Sequence, residues 1–304
     1  MGLRKALFIV NPAAGGGGAG LRWEQFRKEL QRKEGQIEEA STDRPGEALQ
    51  LAREQAGKYE ILVAVGGDGT AFEVASGILA SEGKRPALGV VPVGTGNDIS
   101  TALGVTSLTD ALRALMNGSI KSVDTIRVEC QVEHQPAVRH ALLFAGVGIA
   151  SESLKRTTPA VKRLFGERLA YPVGVLRAVW SYRAPRLRVN HDGHAEENRF
   201  LFVCASNTER AGGGMKLAPG ARMDDGLLDL NLIEAVGRLG TLKHLRRACQ
   251  GRHTTHPKVR YFRASELTVE ADTALEVAAD GELIGYTPAR FTVQPKALAV
   301  LTNW

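Results

Sequence analysis

Three times in its first hundred residues this chain runs an unbroken apolar stretch into a glycine-rich turn that opens a helical pattern: 6–10 before Asn11, 61–65 before Gly66, and 87–93 before Gly94. Apolar runs without polar alternation suit strands covered on both faces. Strands alternating with helices imply a parallel α/β sheet, whose ligands sit beyond the carboxyl ends of its strands. All three turns are therefore expected on one edge. The segment 107–117 puts Leu108, Ala111, Leu112, Leu115 and Met116 on one helical face, with Gly118 as its stop, and should close this layer.

From about Ile126 the texture changes to strand-like stretches at 125–132, 140–145, 199–205 and 227–233, separated by polar turns. This predicts a β-rich second domain. Helical interruptions are expected over 159–182 and 239–251, the first broken at Pro172 or Gly174. The apolar run 297–301 is expected to rejoin the first sheet. The expected division is an α/β nucleotide-binding domain over 1–125, a β-rich substrate domain over 126–290, and a returning strand within 291–304.

The chain has 304 residues, 43% hydrophobic and 24% charged, which allows two packed cores. No run of about 18 apolar residues occurs, and the first eleven residues read as a strand rather than a secretory signal, so a cytoplasmic protein is expected. Three separated cysteines without a Cys-x-x-Cys pair suggest neither a disulfide framework nor a zinc site. A formal charge of +6 with both signs interspersed permits an anionic partner without demanding one, and no nucleic-acid partner is expected.

Gly15, Gly17 and Gly20 satisfy G-x-G-x-x-G, with Glu38 or Glu39 about where a ribose-binding acid belongs. Four successive glycines meet that spacing almost automatically, and a flexible loop explains them as well. A Walker P-loop fails, because Leu21 and Arg22 stand where Lys and Ser or Thr are required. The turn Gly66, Gly67, Asp68, Gly69, Thr70 is more telling. Its glycines let backbone amides approach phosphate oxygens, the following helix N-terminus favours anions, and Asp68 can hold a metal ion against them. The competing reading is a tight turn whose Asp and Thr only cap the helix. Gly94, Thr95, Gly96, Asn97 and Asp98 repeat the same chemistry one unit later, and Asn11 adds an amide to the same crevice.

Further on, Asp224 and Asp225 offer carboxylates to a hard cation, although paired acids in a turn are more often merely solvated. Asp280-Gly281 reads as a two-residue hairpin turn. Such a turn is usually structural, yet a carboxylate on a loop tip can also accept the proton of an attacking hydroxyl.

Together these features resemble the bacterial lipid kinases of the diacylglycerol kinase catalytic-domain family, relatives of sphingosine kinases and, more distantly, of NAD kinases and phosphofructokinases. The resemblance covers nearly the whole chain. It rests on Asn11-Pro12, Gly66 to Thr70 with Glu73, Gly94 to Asp98, Gly212 to Pro219, Asp224 to Leu228, Asp280 to Glu282, and the ending from Thr287-Pro288 to Leu298. It implies ATP-dependent transfer of a γ-phosphoryl group to a lipid hydroxyl, in a cleft between an α/β domain and a C-terminal β-sandwich-like domain. Asn11, Thr42, Gly66, Gly67, Asp68, Gly69, Thr70, Glu73, Gly94, Thr95 and Asn97 would then form the nucleotide site, with Asp68 near a catalytic Mg2+. Asp280 would be the general base and Glu282 its support. A second, structural Mg2+ would be held by Asp225 with the carbonyls of Arg222 and Leu227. Phe72 stands where these kinases usually carry Asn, and Ala150 where Asp is common.

A lipid acceptor implies peripheral contact with a membrane surface. Lys155, Arg156, Lys162, Arg163 and Arg168, with Lys243, Arg246, Arg247 and Arg252, are candidates to meet anionic headgroups. Leu164, Phe165, Leu169, Val173, Leu176 and Trp180 line an acyl-chain pocket or simply pack the core. The rival readings are an NAD kinase-like or other small-molecule kinase, and a nucleotide-binding regulator with weak turnover. A homodimer stays open.

Overall fold

The computed structural model describes residues 5–304, without the side chains of Pro159, Lys162, Glu167 and Arg168. The chain forms two compact units, one of residues up to Val123 with Lys296–Trp304, the other Asp124–Pro295.

In the first unit β1 (Ala6–Val10), α1 (Ala19–Glu34), β2 (Glu38–Ser41), α2 (Glu47–Gln55), β3 (Ile61–Gly66), α3 (Asp68–Leu79), β4 (Ala87–Pro92), α4 (Asp98–Ala102) and α5 (Leu108–Asn117) follow one another. The strands lie in the order β2-β1-β3-β4, each neighbouring pair parallel. Every residue of β1 and β3 is buried, as unbroken apolar runs require. Phe8, Ile9, Leu62 and Leu88 are sealed from water, each contributing about 1.5–3 kcal/mol relative to an exposed side chain. On α1, Trp23, Phe26 and Leu30 recur at helical spacing and pack inward, with Trp23 stacked 5.3 Å from Phe8. Helix α5 starts at Ser107, whose hydroxyl caps the Asp110 amide, and buries Ala111, Ala114 and Leu115. In the glycine run Ala14–Gly17 forms a 3-10 turn, with Gly15 and Gly16 left-handed, that feeds α1.

The second unit takes up β5 (Ser119–Val132) from Asp124 on, β6 (Gln135–Ala141), β7 (Phe144–Gly148), α6 (Ile149–Arg156), α7 (Pro159–Ser181), β8 (Arg186–His191), β9 (His194–Ser206), β10 (Leu228–Glu234), α8 (Arg238–Cys249), β11 (Val259–Ala264), β12 (Glu266–Ala271), β13 (Glu276–Ala279) and β14 (Glu282–Thr302) as far as Pro295. Its pairings are antiparallel. The long strands β9 and β14 each change partners along their length. β9 pairs first with β8 and then with β7 and β10, while β14 pairs first with β13 and then with β12. The result is a closed circuit, β9-β7-β13-β14-β12-β8 and back to β9. Beyond Lys296, whose φ of 52° turns the strand, β14 runs parallel to β4 with Val300 opposite Leu88.

Two local expectations change. Residues 140–145 are not one strand, because the chain bends at Leu142 and Leu143 between β6 and β7. The long helix is interrupted at Gly166 (φ 73°, ψ 162°) rather than at Pro172 or Gly174. A proline removes one hydrogen bond and can be carried as a bend, whereas a left-handed glycine ends the helical path outright.

Candidate functional site

The carboxyl ends of β1, β3 and β4 bring the glycine turns together. A methyl group on Gly94 would lie 2.4 Å from the Gly67 Cα, and one on Gly15 would lie 2.9 Å from the Val93 carbonyl oxygen, so the turns meet backbone to backbone. Asn11 donates its side-chain amide to the Thr70 hydroxyl at 3.1 Å. Asp68, the first residue of α3, accepts the Ile99 amide at 2.9 Å through Oδ1. Its Oδ2 faces Gly96, where a Cβ would stand 2.6 Å away. Asp68 therefore does cap a helix, but α4 rather than its own. Asn97 is left-handed (φ 59°), donates to the Gly94 carbonyl at 3.1 Å, and keeps its buried Oδ1 without a hydrogen-bond partner. An unpartnered acceptor, the leading amides of α3 that have no acceptor within the helix, and a carboxylate over a glycine form a polar crevice suited to a phosphate-bearing ligand.

Of the other predicted nucleotide residues, Thr95 is exposed on the second turn. Thr42 is buried and donates to the Val10 carbonyl at 3.3 Å, at the end of β2. Both oxygens of Glu73 are taken: they accept the Gly46 amide at 2.8 Å and the Ala48 amide at 3.2 Å, capping α2. The structure gives Glu73 a positioning role at the N-terminus of α2. Arg22 is a residue that motif matching passed over. Its guanidinium donates to the Val93 carbonyl at 3.1 Å, placing a cation beside the second glycine turn. The signal was a basic residue in the first turn of a helix that follows a glycine run.

In the second unit Asp280 (φ 48°) and Gly281 (φ 92°) make the two-residue hairpin turn between β13 and β14. Gly281 is exposed, but Asp280 is not. Asp280 is 5% exposed, and its carboxylate accepts the amides of Leu142 at 2.6 Å, Leu143 at 2.9 Å and Phe144 at 3.0 Å. These donors converge because the chain bends there. The carbonyls of the same bend are satisfied by Asn207, whose side chain donates to Leu142 at 2.9 Å and whose backbone amide donates to Leu143 at 2.8 Å. Asn207 is fully buried, and no motif pointed to it. Glu282 opens β14 and is exposed.

Around the predicted structural metal, Asp225 accepts the Leu227 amide at 3.2 Å, while its buried Oδ2 makes no hydrogen bond. Arg263 stands 3.4 Å from Oδ2, close enough to balance charge without hydrogen-bond geometry. Arg222 turns its guanidinium to Asp224 at 3.0 Å, leaving only its carbonyl for a cation. Among the described residues no cluster of three or more His, Cys, Asp or Glu side chains is arranged for a metal. A carboxylate oxygen without a hydrogen bond fits a hard cation whose remaining ligands are carbonyls and water, which would share Oδ2 with Arg263. Nearby, burial raises the Asp229 carboxyl above its ordinary value, against the Tyr261 hydroxyl that donates to it at 2.6 Å.

Helix α7 divides the residues assigned to an acyl pocket. Leu164, Phe165, Leu169, Leu176 and Trp180 are exposed, so they neither pack the core nor line a pocket. Instead Tyr171 and Val175, on the inner face of α7, join Phe144, Phe202, Leu217 and Leu245 around an apolar cavity of about 60 Å³. Ala150 lines it as well. Its polar wall includes His244, whose Nδ1 is buried without a partner and whose pKa is lowered to about 4, chiefly by burial and then by His256 and Arg247. Of the basic candidates, Lys155 pairs with Glu276 and Arg156 with Glu152. Arg163, Lys243, Arg246 and Arg252 are exposed. The side chains of Lys162 and Arg168 lie outside the described residues.

Two family models match successive parts of the chain. Residues 5–128 match the model of the diacylglycerol kinase catalytic domain, and 145–302 match that of the YegS C-terminal NAD kinase beta sandwich-like domain. A diacylglycerol kinase of Staphylococcus aureus strain MRSA252 is 32% identical over 298 residues, 95% of this chain and 89% of that protein. A Bacillus anthracis crystal structure, provisionally assigned as a diacylglycerol kinase, superposes with a TM-score of 0.82 at 25% identity, covering 100% of this chain and 96% of that one. Yeast NADH kinase shares the fold, with a TM-score of 0.57 at 11% identity over 100% of this chain and 85% of that one.

Proposed function

The chain belongs to the diacylglycerol kinase catalytic-domain family of phosphotransferases, and from that premise we propose that it transfers the γ-phosphoryl group of ATP to the free hydroxyl of a diacylglycerol-type lipid. The observation that carries the lipid acceptor is a shared residue. Phe144 donates its amide to Asp280 and also lines the apolar cavity, so the carboxylate and the cavity are neighbours within one unit. A cavity of about 60 Å³ lined mostly by apolar side chains suits acyl methylenes better than a polar cofactor such as NAD.

In this reading the turns 66–70 and 94–97 hold the triphosphate through backbone amides, with Asn11, Thr70 and Arg22 beside them. Mg2+, when bound, neutralises charge on the phosphate oxygens; Asp68 is the carboxylate proposed to hold it, and Asp225 Oδ2 is the side-chain ligand proposed for the structural ion. Phosphoryl transfer asks mainly for alignment. Asp280, fixed by three amides, orients the lipid hydroxyl and takes its proton as the new P–O bond forms and the bond from the γ-phosphorus to the bridging oxygen breaks, releasing ADP, while the cavity takes up acyl methylenes. Glu73 and Asn207 act by holding α2 and the 142–143 bend. Ala150 keeps that cavity apolar where family members often carry an acid, which favours an acceptor with little polarity beside its hydroxyl.

Labelled ATP offered with diacylglycerol, phosphatidylglycerol, a sphingoid base and NAD tests this. Label in diacylglycerol supports the reading. Label in NAD alone, or in none while ATP still binds, overturns it.

A further inference from the structure

We propose that the outward face of α7 is the surface by which this chain lies on an anionic bilayer, a proposal that rests on the lipid-acceptor reading and names where the lipid is met. Leu169, Val173, Leu176 and Trp180 recur at steps of four, three and four residues, one stripe of a helix. In a water-facing helix that stripe would be turned inward. Here Leu169, Leu176 and Trp180 are 57–58% exposed, and Leu164 and Phe165 before the Gly166 interruption add 76% and 45%. Leu239 at the start of α8 is 79% exposed. The inward face makes its closest contacts through small residues. Ala170 and Ala178 are buried, and Gly174 backs so closely onto α6 that a Cβ would lie 2.7 Å from the Ser153 carbonyl oxygen. The leucines and Trp180 thus point out while the inner face, built from Ala170, Gly174 and Ala178 with Tyr171, Val175 and the buried Val179, makes the packing contacts.

Charge selects the occupant. The Arg238 guanidinium lies 5.9 Å from the centre of the Trp180 ring, and Arg163 and Arg177 are exposed along the same helix. Among the described residues none of these three arginines is in an ion pair, unlike Lys155 and Arg156 nearby. A twofold contact with a second copy would oppose like charges. An anionic bilayer takes the leucines and aromatics below its headgroups and leaves guanidinium groups at phosphate level, with Trp180 at the boundary. No described helix is long and apolar enough to cross a membrane, so α7 would lie in the plane. The opposite face of the same helix supplies Tyr171 and Val175 to the cavity, which puts the acceptor's apolar site one helix thickness from the bilayer.

The test is co-sedimentation of the full chain with phosphatidylglycerol and with phosphatidylcholine vesicles, alongside kinase assays on water-dispersed dioctanoylglycerol without vesicles. The expected result is pelleting with phosphatidylglycerol that weakens with salt, and a partition coefficient roughly tenfold or more lower in L169E/L176E, with activity on dioctanoylglycerol within about twofold of the parent. R163Q/R177Q/R238Q should lose preference for phosphatidylglycerol over phosphatidylcholine. Equal pelleting of L169E/L176E, no pelleting of the parent, or a solution dimer that L169E/L176E separates would each overturn the proposal. Vesicle binding without transfer to any lipid leaves this surface standing and removes the lipid-kinase reading. Transfer to dioctanoylglycerol without vesicle binding does the reverse.

Discussion

The Asp68 carboxylate accepts the Ile99 amide at 2.9 Å across 31 residues, so one side chain ties the first glycine turn to the helix that follows the second. One of its oxygens is thereby fixed, and the other looks onto Gly96, the position where a side chain would intrude.

That arrangement predicts the outcome at Gly96. In G96A the new methyl would meet Asp68 Oδ2 at 2.6 Å and displace that carboxylate, so nucleotide affinity should fall roughly tenfold or more while stability, at this exposed position, changes by less than about 1 kcal/mol. Calorimetric ATP titration and urea unfolding measure the two. Unchanged affinity would mean that the second turn does not form the ligand's wall.

Glu73 separates a structural from a binding role. Its oxygens cap α2 at 2.8 and 3.2 Å, so E73A should cost about 0.5–2 kcal/mol of stability while ATP affinity shifts by less than about threefold, under 0.7 kcal/mol. A larger loss of affinity at unchanged stability would return Glu73 to direct nucleotide contact.

His244 predicts a pH dependence of stability. Burial, then His256 and Arg247, lower its folded pKa to about 4 from an ordinary 6.5, so between those values the unfolded chain binds more protons than the folded one. Stability is therefore full above pH 6.5, declines as pH falls towards 4, and loses at most about 3 kcal/mol to this group. His253, also lowered by burial, acts in the same direction. Denaturation midpoints measured at several pH values should show this slope, and H244F should flatten it.

The apolar runs and glycine turns were legible in the sequence because strands covered on both faces leave no polar alternation, and turns that meet backbone to backbone admit only glycine. Asn11, Thr70 and Asp68 could be grouped for the same reason. What stayed hidden were partners without a side-chain signature: the Ile99 amide for Asp68, those of Gly46 and Ala48 for Glu73, and the three amides of the 142–144 bend for Asp280, well over a hundred residues away. Periodicity found the apolar stripe of α7 but carried no sign of which way it faced, since buried and membrane-facing stripes have the same period. The inward small residues Ala170, Gly174 and Ala178 were the available signal.

Asp280→Asn tests the central claim most directly, with the transfer rate to diacylglycerol measured beside ATP affinity and the unfolding midpoint. Asparagine keeps the shape but cannot take the hydroxyl's proton, and it weakens acceptance of the three amides. The predicted result is a transfer rate lower by about 10²–10⁴-fold, with ATP affinity within about threefold and the protein still folded at the assay temperature. Transfer at the parent's rate by the folded variant would contradict the account.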